Sequence, residues 1–168
     1  MHTVTEQQQS APWQTTKQVL PQHTDHAGVM WHGTYVNWLE EARLDALTAV
    51  GLPYAAISAA QVELPVVKLS LDYRQVLTHG ETVLMHSWLL ESKGPKLRWL
   101  SQFIRSDGSV AAEATVELVA LDLSGGLAQK RLLRRLPPPL RTALDQLKQG
   151  PKPALWSISS ICVLLALT

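Results

Sequence analysis

Apolar and polar residues alternate along several short stretches of this chain, the pattern of β-strands with one face toward a core. The alternation is clearest from Val66 to Arg74, which predicts a strand with one face in solvent. A weaker alternation from Trp13 to Leu20 predicts a first strand that stops before Pro21. Three more strands are predicted by the stretches that turn residues separate, at Glu81 to Glu91, Lys96 to Arg105 and Val110 to Asp122.

Short turns connect the last four predicted strands. These turns are His79-Gly80, Lys93-Gly94-Pro95 and Ser106-Asp107-Gly108. Because tight turns of this kind join neighbouring strands that run in opposite directions, the sequence predicts an antiparallel meander.

One long helix is predicted between the first and second strands, from Thr34 to Val50. Thr34 is the expected N-cap, and Gly51 followed by Pro53 is a strong helix-end signal. Five residues recur at helical spacing and should face the core: Tyr35, Leu39, Ala42, Ala46 and Ala49.

A single helix and one antiparallel sheet share a core only if the sheet curls around the apolar stripe of the helix. The predicted fold is therefore α+β, with a curved five-stranded antiparallel sheet wrapped around one long central helix. We expect one domain over residues 12–150, ending in a short helix from Leu140 to Gln149. Residues 1–11 are predicted to be a flexible arm, and residues 151–168 an apolar tail.

Composition excludes several classes of protein. A net charge of +1 gives no overall field for nucleic acid, and 46% hydrophobic residues are too many for a disordered chain. The single cysteine, Cys162, and the absence of a signal-like start favour the cytoplasm. The apolar run from Ala154 to Thr168 has 15 residues, which is short for a membrane span, so membrane association is not expected.

The loop from His23 to Tyr35 is where chemistry is expected. Asp25 lies seven residues before His32, close to the helix start, where backbone N–H groups lack intrahelical partners. The amides of Trp31, His32 and Gly33 are candidate oxyanion donors for a carbonyl that gains negative charge. Asp25 would then attack that carbonyl directly or activate water, and the sequence leaves both routes open.

The residues around Asp25 allow other interpretations. Asp25 in a loop before a helix is also typical of a turn or capping residue, and His32 fits a half-buried helix-start residue as well as a catalytic one. The spacing of His23, Asp25, His26 and His32 fits no metal signature, so neither a metal nor a cofactor is expected. Gly28 would let a ligand approach the backbone, and Trp31 and Tyr35 would line a substrate pocket.

The run HTDHAGVMWHGTYVNWLEEARLDAL resembles the signature of the 4-hydroxybenzoyl-CoA thioesterase family, in which an Asp-x-x-Gly-Val loop precedes the central helix. Asp25 matches the catalytic aspartate of that family. His32 matches a histidine of the bacterial branch that acts on short acyl-CoA or acyl-carrier-protein substrates. The stretches Leu64 to Tyr73 and Pro138 to Gln146 are similar to the cyanobacterial 1,4-dihydroxy-2-naphthoyl-CoA thioesterases, which serve quinone synthesis.

This resemblance implies the hotdog fold and an acyl-CoA thioesterase, with an aromatic acyl-CoA such as 1,4-dihydroxy-2-naphthoyl-CoA as the leading substrate. It also implies a homodimer or homotetramer with active sites between subunits. Basic residues would hold the CoA phosphates, and the candidates are Lys93, Lys96 and Arg98, with Lys130, Arg131, Arg134 and Arg135 as a second set. A hotdog hydratase and an acyl-CoA binder without catalysis are the alternatives.

Overall fold

The computed structural model describes residues 10–91 and 94–152. Its three helices are α1 (His32–Ala49), α2 (Tyr54–Ala59) and α3 (Pro138–Gln149). Its strands are β1 (Trp13–Gln18), β2 (Val62–Glu63), β3 (Val66–Tyr73), β4 (Thr82–Leu90), β5 (Lys96–Arg105), β6 (Val110–Val119), β7 (Leu121–Asp122) and β8 (Arg131–Leu132).

Five of these strands form one antiparallel sheet in the order β1-β4-β5-β6-β3. The hairpin register pairs Met85 with Phe103 and Phe103 with Ala112, so the side chains of these residues share the inner face. The predicted five-stranded sheet and the β4-β5-β6 part of the predicted four-strand meander are confirmed. The expectation that the turn at His79-Gly80 joins two neighbouring strands was wrong, because β3 pairs with β6 at the sheet edge and β4 lies between β1 and β5. The fold class is α+β, with the hotdog arrangement of a sheet against one long helix.

Helix α1 begins earlier than predicted. Its N-cap is Trp31 and makes no side-chain capping bond, whereas Thr34 lies inside the first turn, so the prediction of Thr34 as N-cap was wrong. The predicted helix end is confirmed: Gly51 has φ +76°, and Gly51 and Leu52 donate to the carbonyls of Thr48 and Leu47. These two bonds form a Schellman motif, which requires the left-handed conformation that glycine adopts readily.

The main core lies between α1 and the inner face of the sheet. Of the predicted helix face, Tyr35, Leu39, Ala42 and Ala46 are buried, but Ala49 is exposed and that prediction was wrong. The buried stripe is wider than predicted, because it also includes Trp38, Arg43 and Leu47. Apolar residues of β4 and β5 complete the core opposite this stripe, among them Val83, Met85 and Phe103.

Strand β3 differs from its prediction of one dry and one wet face. It is an edge strand, and Val66, Val67, Leu69 and Tyr73 are 40–54% exposed. Only Leu71 is half-buried. Alternation along the chain cannot reveal that a strand lies at the edge of a sheet, where it pairs with a neighbouring strand on one side only.

Several small elements were not predicted. The connector after α1 contains α2, and a second sheet of three short strands has the order β2-β7-β8. The predicted last strand to Asp122 is divided between β6 and β7. Helix α3 confirms the predicted C-terminal helix and starts two residues earlier, at Pro138. The Trp13 indole N–H donates to the Leu147 carbonyl at 2.9 Å, which ties α3 to β1.

Among the described residues, no helix combines the length and the apolar character needed to cross a bilayer. The predicted flexible arm (1–11), except for residues 10 and 11, lies outside the described residues. The same holds for the predicted apolar tail (151–168), except for residues 151 and 152.

A charged network joins the turn before β4 to the end of β5. Glu81 accepts hydrogen bonds from the Thr78 amide and hydroxyl, at 2.5 and 3.0 Å, and from Arg105 at 2.6 and 2.9 Å. Although burial opposes it, these bonds lower the pKa of Glu81 below its ordinary value of 4.5. The carboxylate form is therefore the one that the fold stabilises.

We predict that Glu81→Gln lowers the free energy of unfolding at pH 7 by about 1–2 kcal/mol. The pKa of Glu81 is lower in the folded state than in the unfolded state. Its ionised carboxylate therefore stabilises the fold fully above the unfolded pKa near 4.5, and this stabilisation is lost as pH falls below that value. The difference between wild type and variant in urea unfolding should therefore shrink between pH 5 and about pH 3. Glu91→Gln is the matched control, because Glu91 pairs with Lys148 at the surface and should contribute little. An equal difference at all pH values would contradict the assignment.

Candidate active site

The loop that carries Asp25 is a tight turn closed by backbone hydrogen bonds. The Asp25 amide donates to the Val29 carbonyl at 2.8 Å, and the Gly28 amide donates to the Asp25 carbonyl at 3.0 Å. Gly28 has φ +75°, a conformation that closes this turn and that residues with a Cβ rarely adopt. Single bridges pair Thr24 with Met30 and Val29 with Thr78, so both sides of the turn are held.

The Asp25 carboxylate has one oxygen bonded within the turn and one that accepts no hydrogen bond from the described residues. Oδ1 accepts hydrogen bonds from the amides of Ala27, at 2.8 Å, and Val29, at 3.2 Å. Asp25 is exposed, and within the described part of the chain Oδ2 has no hydrogen-bond partner. The turn role weighed from the sequence is therefore real, and it leaves the second oxygen available for chemistry.

The start of α1 is bound to the chain that precedes this turn. The His23 carbonyl accepts hydrogen bonds from the Trp31 amide, at 3.1 Å, and from the Thr34 hydroxyl, at 3.2 Å. The Trp31 amide is thus already engaged and is unavailable as an oxyanion donor. The amides of His32 and Gly33, the first two residues of α1, have no partner among the described residues.

Asp25 borders an open groove of about 600 Å³ at the start of α1. Three of the predicted site residues line the same groove: Trp31, His32 and Tyr35. Gly28 and Gly33 are not among the lining residues. A Cβ on Gly33 would lie 2.1 Å from the Trp31 ring, so this glycine lets the half-exposed indole fold over the first turn of the helix.

Tyr35 forms the inner wall of the groove. Its ring makes edge contacts with Tyr73 and Phe103, with centroid distances of 5.1 and 5.0 Å. Burial, followed by the effects of Tyr73 and Glu81, raises the pKa of Tyr35 to about 12. The phenol therefore stays protonated at physiological pH and can donate a hydrogen bond but cannot act as a base.

The opposite wall of the groove was not predicted as part of a site. It consists of the residues at and after the end of β3, namely Tyr73, Arg74, Gln75 and Val76. In the sequence they resemble the end of an ordinary strand, and only the sheet order brings them to the groove that Asp25 borders.

A second cavity, of about 160 Å³, lies at the other end of the sheet, between the β4–β5 turn and α3. Its wall brings together Lys96 and Arg134, one residue from each of the two predicted CoA-binding sets. It also contains Arg141 and Lys148, which the sequence analysis missed although they lie seven residues apart on one face of α3. Arg98 does not line this cavity, and Lys93 lies outside the described residues.

The charges in this basic cavity are partly paired. Lys96 lies 2.7 Å from Glu117, and Lys148 lies 3.1 Å from Glu91 and 3.8 Å from Asp145. Arg134 and Arg141 have no ion-pair partner in the described ranges. Two guanidinium groups without an ion pair in the described part of the chain, in a cavity that leucines also line, suit an anionic ligand with an apolar part.

In residues 10–91 and 94–152, no group of three or more His, Cys, Asp and Glu side chains is arranged to hold a metal ion. The polar groups at the groove include a carboxylate oxygen of Asp25, the amides of His32 and Gly33, which have no partner among the described residues, and the protonated phenol of Tyr35. Such a set can activate a nucleophile and stabilise the negative charge that develops on a carbonyl oxygen.

Residues 19–148 match the model of the thioesterase-like superfamily. The protein sll0410 of Synechocystis, designated an esterase, is 36% identical over 132 residues, which cover 78% of this chain and 77% of that protein. YneP of Bacillus subtilis, designated an acyl-CoA thioesterase, is 27% identical over 59% of this chain and 72% of its own. The structure of Slr0204, a 1,4-dihydroxy-2-naphthoyl-CoA thioesterase from Synechocystis, superposes with TM-score 0.70 and 22% identity, covering 80% of this chain and 96% of that one.

We predict that Thr34→Val, which keeps the volume but removes the hydroxyl, lowers the free energy of unfolding by about 1 kcal/mol. The reason is the loss of the hydrogen bond from the buried Thr34 hydroxyl to the His23 carbonyl. Thr48→Val in the same helix is the control, because its hydroxyl bonds only to the Leu44 carbonyl and is exposed. Thermal unfolding of both variants measures the two losses of stability. Equal losses would show that the bond from Thr34 to His23 stabilises the fold no more than the exposed bond from Thr48 to Leu44.

Proposed function

The chain belongs to the thioesterase-like superfamily, and on that premise we propose that it hydrolyses an aromatic acyl-CoA thioester, with Asp25 as the catalytic carboxylate. The reaction class is thioester hydrolysis, which releases the free acid and CoA. One observation carries the proposal: the second oxygen of Asp25 and the amides of His32 and Gly33, all without a hydrogen-bond partner in residues 10–91 and 94–152, lie at the same end of α1. They are beside a groove large enough for an acyl group.

In the proposed mechanism, the thioester carbonyl lies between Asp25 and the start of α1. The amides of His32 and Gly33 donate to the carbonyl oxygen as it becomes negative, and the positive end of the helix dipole adds to this stabilisation. Asp25 either takes a proton from the attacking water or bonds to the carbonyl carbon and expels the CoA thiolate. In the second route water then cleaves the mixed anhydride and regenerates Asp25. His32 borders the groove at the same point and would orient the substrate or water.

The aromatic character of the groove supports an aromatic acyl group. Trp31, Tyr35 and Tyr73 present ring surfaces to the space beside Asp25. Offset or edge contacts with such rings contribute about 0.5–1.5 kcal/mol beyond burial. The chain is 36% identical to sll0410 but only 22% identical to Slr0204 of the same organism, so the naphthoyl-CoA assignment depends on the groove and not on relatedness.

The exposed edge of the sheet supports a homodimer. Strand β3 presents unpaired backbone groups together with the exposed side chains of Val66, Val67, Leu69 and Tyr73. Edges of this kind pair readily with another strand, and two copies related by a two-fold axis would pair β3 with β3 in antiparallel fashion. The groove wall formed by Tyr73 to Val76 would then lie at the subunit interface.

Such a dimer also explains the distance between the groove and the basic cavity. In one chain the two lie at opposite ends of the sheet, roughly 25 Å apart along the strands. Antiparallel β3 pairing turns the second sheet end for end, so that its basic cavity lies at the level of the first groove. We therefore propose that the CoA phosphates of a substrate bound at Asp25 lie in the partner's cavity, near Lys96, Arg134 and Arg141.

We predict that Asp25→Asn lowers kcat for benzoyl-CoA by about 10²–10⁴-fold without loss of stability. Asparagine retains an acceptor oxygen for the amides of Ala27 and Val29 but is neither a nucleophile nor a base. Asp45→Asn on the exposed face of α1 is the control for the loss of one negative charge. Thiol release measured with a thiol-trapping reagent, alongside thermal unfolding, makes the comparison.

Equal turnover by wild type and Asp25→Asn would refute the role of Asp25. Saturable binding of benzoyl-CoA by calorimetry, with no thiol release from any acyl-CoA in a panel of aromatic and aliphatic substrates, would instead indicate a binding protein. Preference for the aliphatic members of the panel would contradict the aromatic assignment.

A mixing experiment tests whether the groove and the basic cavity come from different subunits. We predict that Asp25→Asn and an Arg134→Gln/Arg141→Gln variant, each impaired alone at low acyl-CoA concentration, regain about one quarter of wild-type activity after unfolding and refolding together. Half of the dimers are then mixed, and each mixed dimer has one complete site. Mixtures that are no more active than their components would show that both parts belong to the same chain.

A further inference from the structure

One side chain that does not line the groove is nevertheless hydrogen-bonded, directly or through one neighbour, to both of its walls. We infer that Arg105, the last residue of β5, is a positioning residue for the proposed hydrolysis and holds the turn of Asp25 and the wall at the end of β3 in one arrangement. This inference rests on the proposed function, because it concerns the geometry of the same groove.

Arg105 lies on the inner face of the sheet, at the end where the groove is. It follows Phe103 by two residues, its register with β4 is regular, and alternate residues of a strand share a face. The Phe103 ring contacts Tyr35, which lines the groove, at a centroid distance of 5.0 Å. The carboxylate of Glu81, with which Arg105 pairs, also helps to raise the pKa of Tyr35 and therefore lies near the phenol. Arg105 is thus next to the groove.

The first connection of Arg105 runs through Glu81 to the segment beside the Asp25 turn. Nε and Nη2 of Arg105 donate to Oε1 of Glu81, at 2.9 and 2.6 Å. The other oxygen, Oε2, accepts the amide and the hydroxyl of Thr78. Because the two oxygens of one carboxylate hold Arg105 and Thr78, the position of Thr78 depends on that of Arg105.

Thr78 and its neighbours are paired with the Asp25 turn itself. A single bridge joins Val29 to Thr78, and the Met30 amide donates to the Leu77 carbonyl at 2.8 Å. Val29 also closes the turn, since its carbonyl accepts the Asp25 amide at 2.8 Å and its amide donates to Asp25 Oδ1 at 3.2 Å. A shift of Thr78 therefore displaces the Asp25 carboxylate as well.

The second connection of Arg105 reaches the wall at the end of β3. Its Nη1 donates to the side-chain oxygen of Gln75 at 3.0 Å, and Gln75 lines the groove. The same oxygen accepts the Ser109 hydroxyl at 3.2 Å, and the Gln75 backbone amide donates to the Ala111 carbonyl at 2.9 Å. Because a guanidinium group is planar and rigid, its three engaged nitrogens fix Gln75 relative to Glu81.

This arrangement matters for the rate because hydrolysis requires the reacting atoms to approach within about 3–3.5 Å in the correct orientation. A displacement of about 1 Å can lower the rate by about 100-fold. Loss of a group that holds the site without lining it should lower kcat and leave KM nearly unchanged.

The first test measures kcat and KM for benzoyl-CoA in wild type, Arg105→Lys and Arg105→Ala, at a temperature at which thermal unfolding shows each protein to be folded. We expect both variants to lower kcat by about 10–100-fold and to change KM by less than about 3-fold. Lysine retains the charge of Arg105 but has no planar set of donors, so Arg105→Lys separates charge from geometry.

Trp13→Phe is the control for a loss of stability, because it removes the long-range bond to Leu147 in α3, away from the groove, and should leave kcat unchanged. A kcat for Arg105→Lys within about 2-fold of wild type, or an equal loss in Trp13→Phe, would overturn the role of Arg105. Absence of thiol release by wild type would refute the proposed function, whereas release by wild type together with an unchanged Arg105→Lys would refute only the role of Arg105.

Chemical rescue of Arg105→Ala separates positioning from stability. The Arg105 side chain is 32% exposed, so a small cation can reach the space that the variant leaves. We expect ethylguanidinium, at concentrations that do not unfold the protein, to raise kcat by about 5-fold or more, and ethylammonium to have no such effect, because only the former has the planar donors. Failure of ethylguanidinium to raise kcat, or equal rescue by both cations, would overturn the inference.

Discussion

The site depends on the carbonyl of His23, which accepts one hydrogen bond from the backbone and one from a side chain at the start of α1. This contact fixes the chain before the turn to the first residues of the helix. Because the turn itself is closed by the Asp25 amide and carboxylate, the carboxylate cannot move relative to the helix without breaking several hydrogen bonds. Backbone hydrogen bonds thus fix the position of the carboxylate relative to the amides of His32 and Gly33, which have no partner in the part of the chain that the structure describes.

The same contact also decides which amides are available. Since the Trp31 amide is used to hold His23, the free donors begin at His32, one residue later than the sequence suggested. Trp31 then turns its ring back over Gly33, which only a residue without a Cβ permits. The helix start is therefore both a hydrogen-bonding and an aromatic surface, two properties that an aromatic thioester would need together.

Sheet order gives the molecule its second organising feature. Placing β3 at the edge exposes apolar residues along its length and brings Arg74 and its neighbours to the groove. The basic cavity lies at the far end of the same sheet, beside α3. Under the proposed function the groove and the basic cavity are two parts of one binding surface, and antiparallel pairing of two β3 edges would bring them together.

The sequence by itself determined the elements and the position of Asp25, because periodicity, turn residues and helix-end signals act over a few neighbouring residues. The strand Lys96–Arg105, the Schellman end at Gly51 and the five-stranded sheet could all be predicted in this way. Only the tertiary structure decided that Thr34 bonds to His23 instead of capping the helix, that β3 lies at an edge, and that the residues after β3 line the same groove as Asp25. Those features depend on contacts between residues far apart in the chain, and alternation or helical spacing contains no information about which distant element becomes the neighbour.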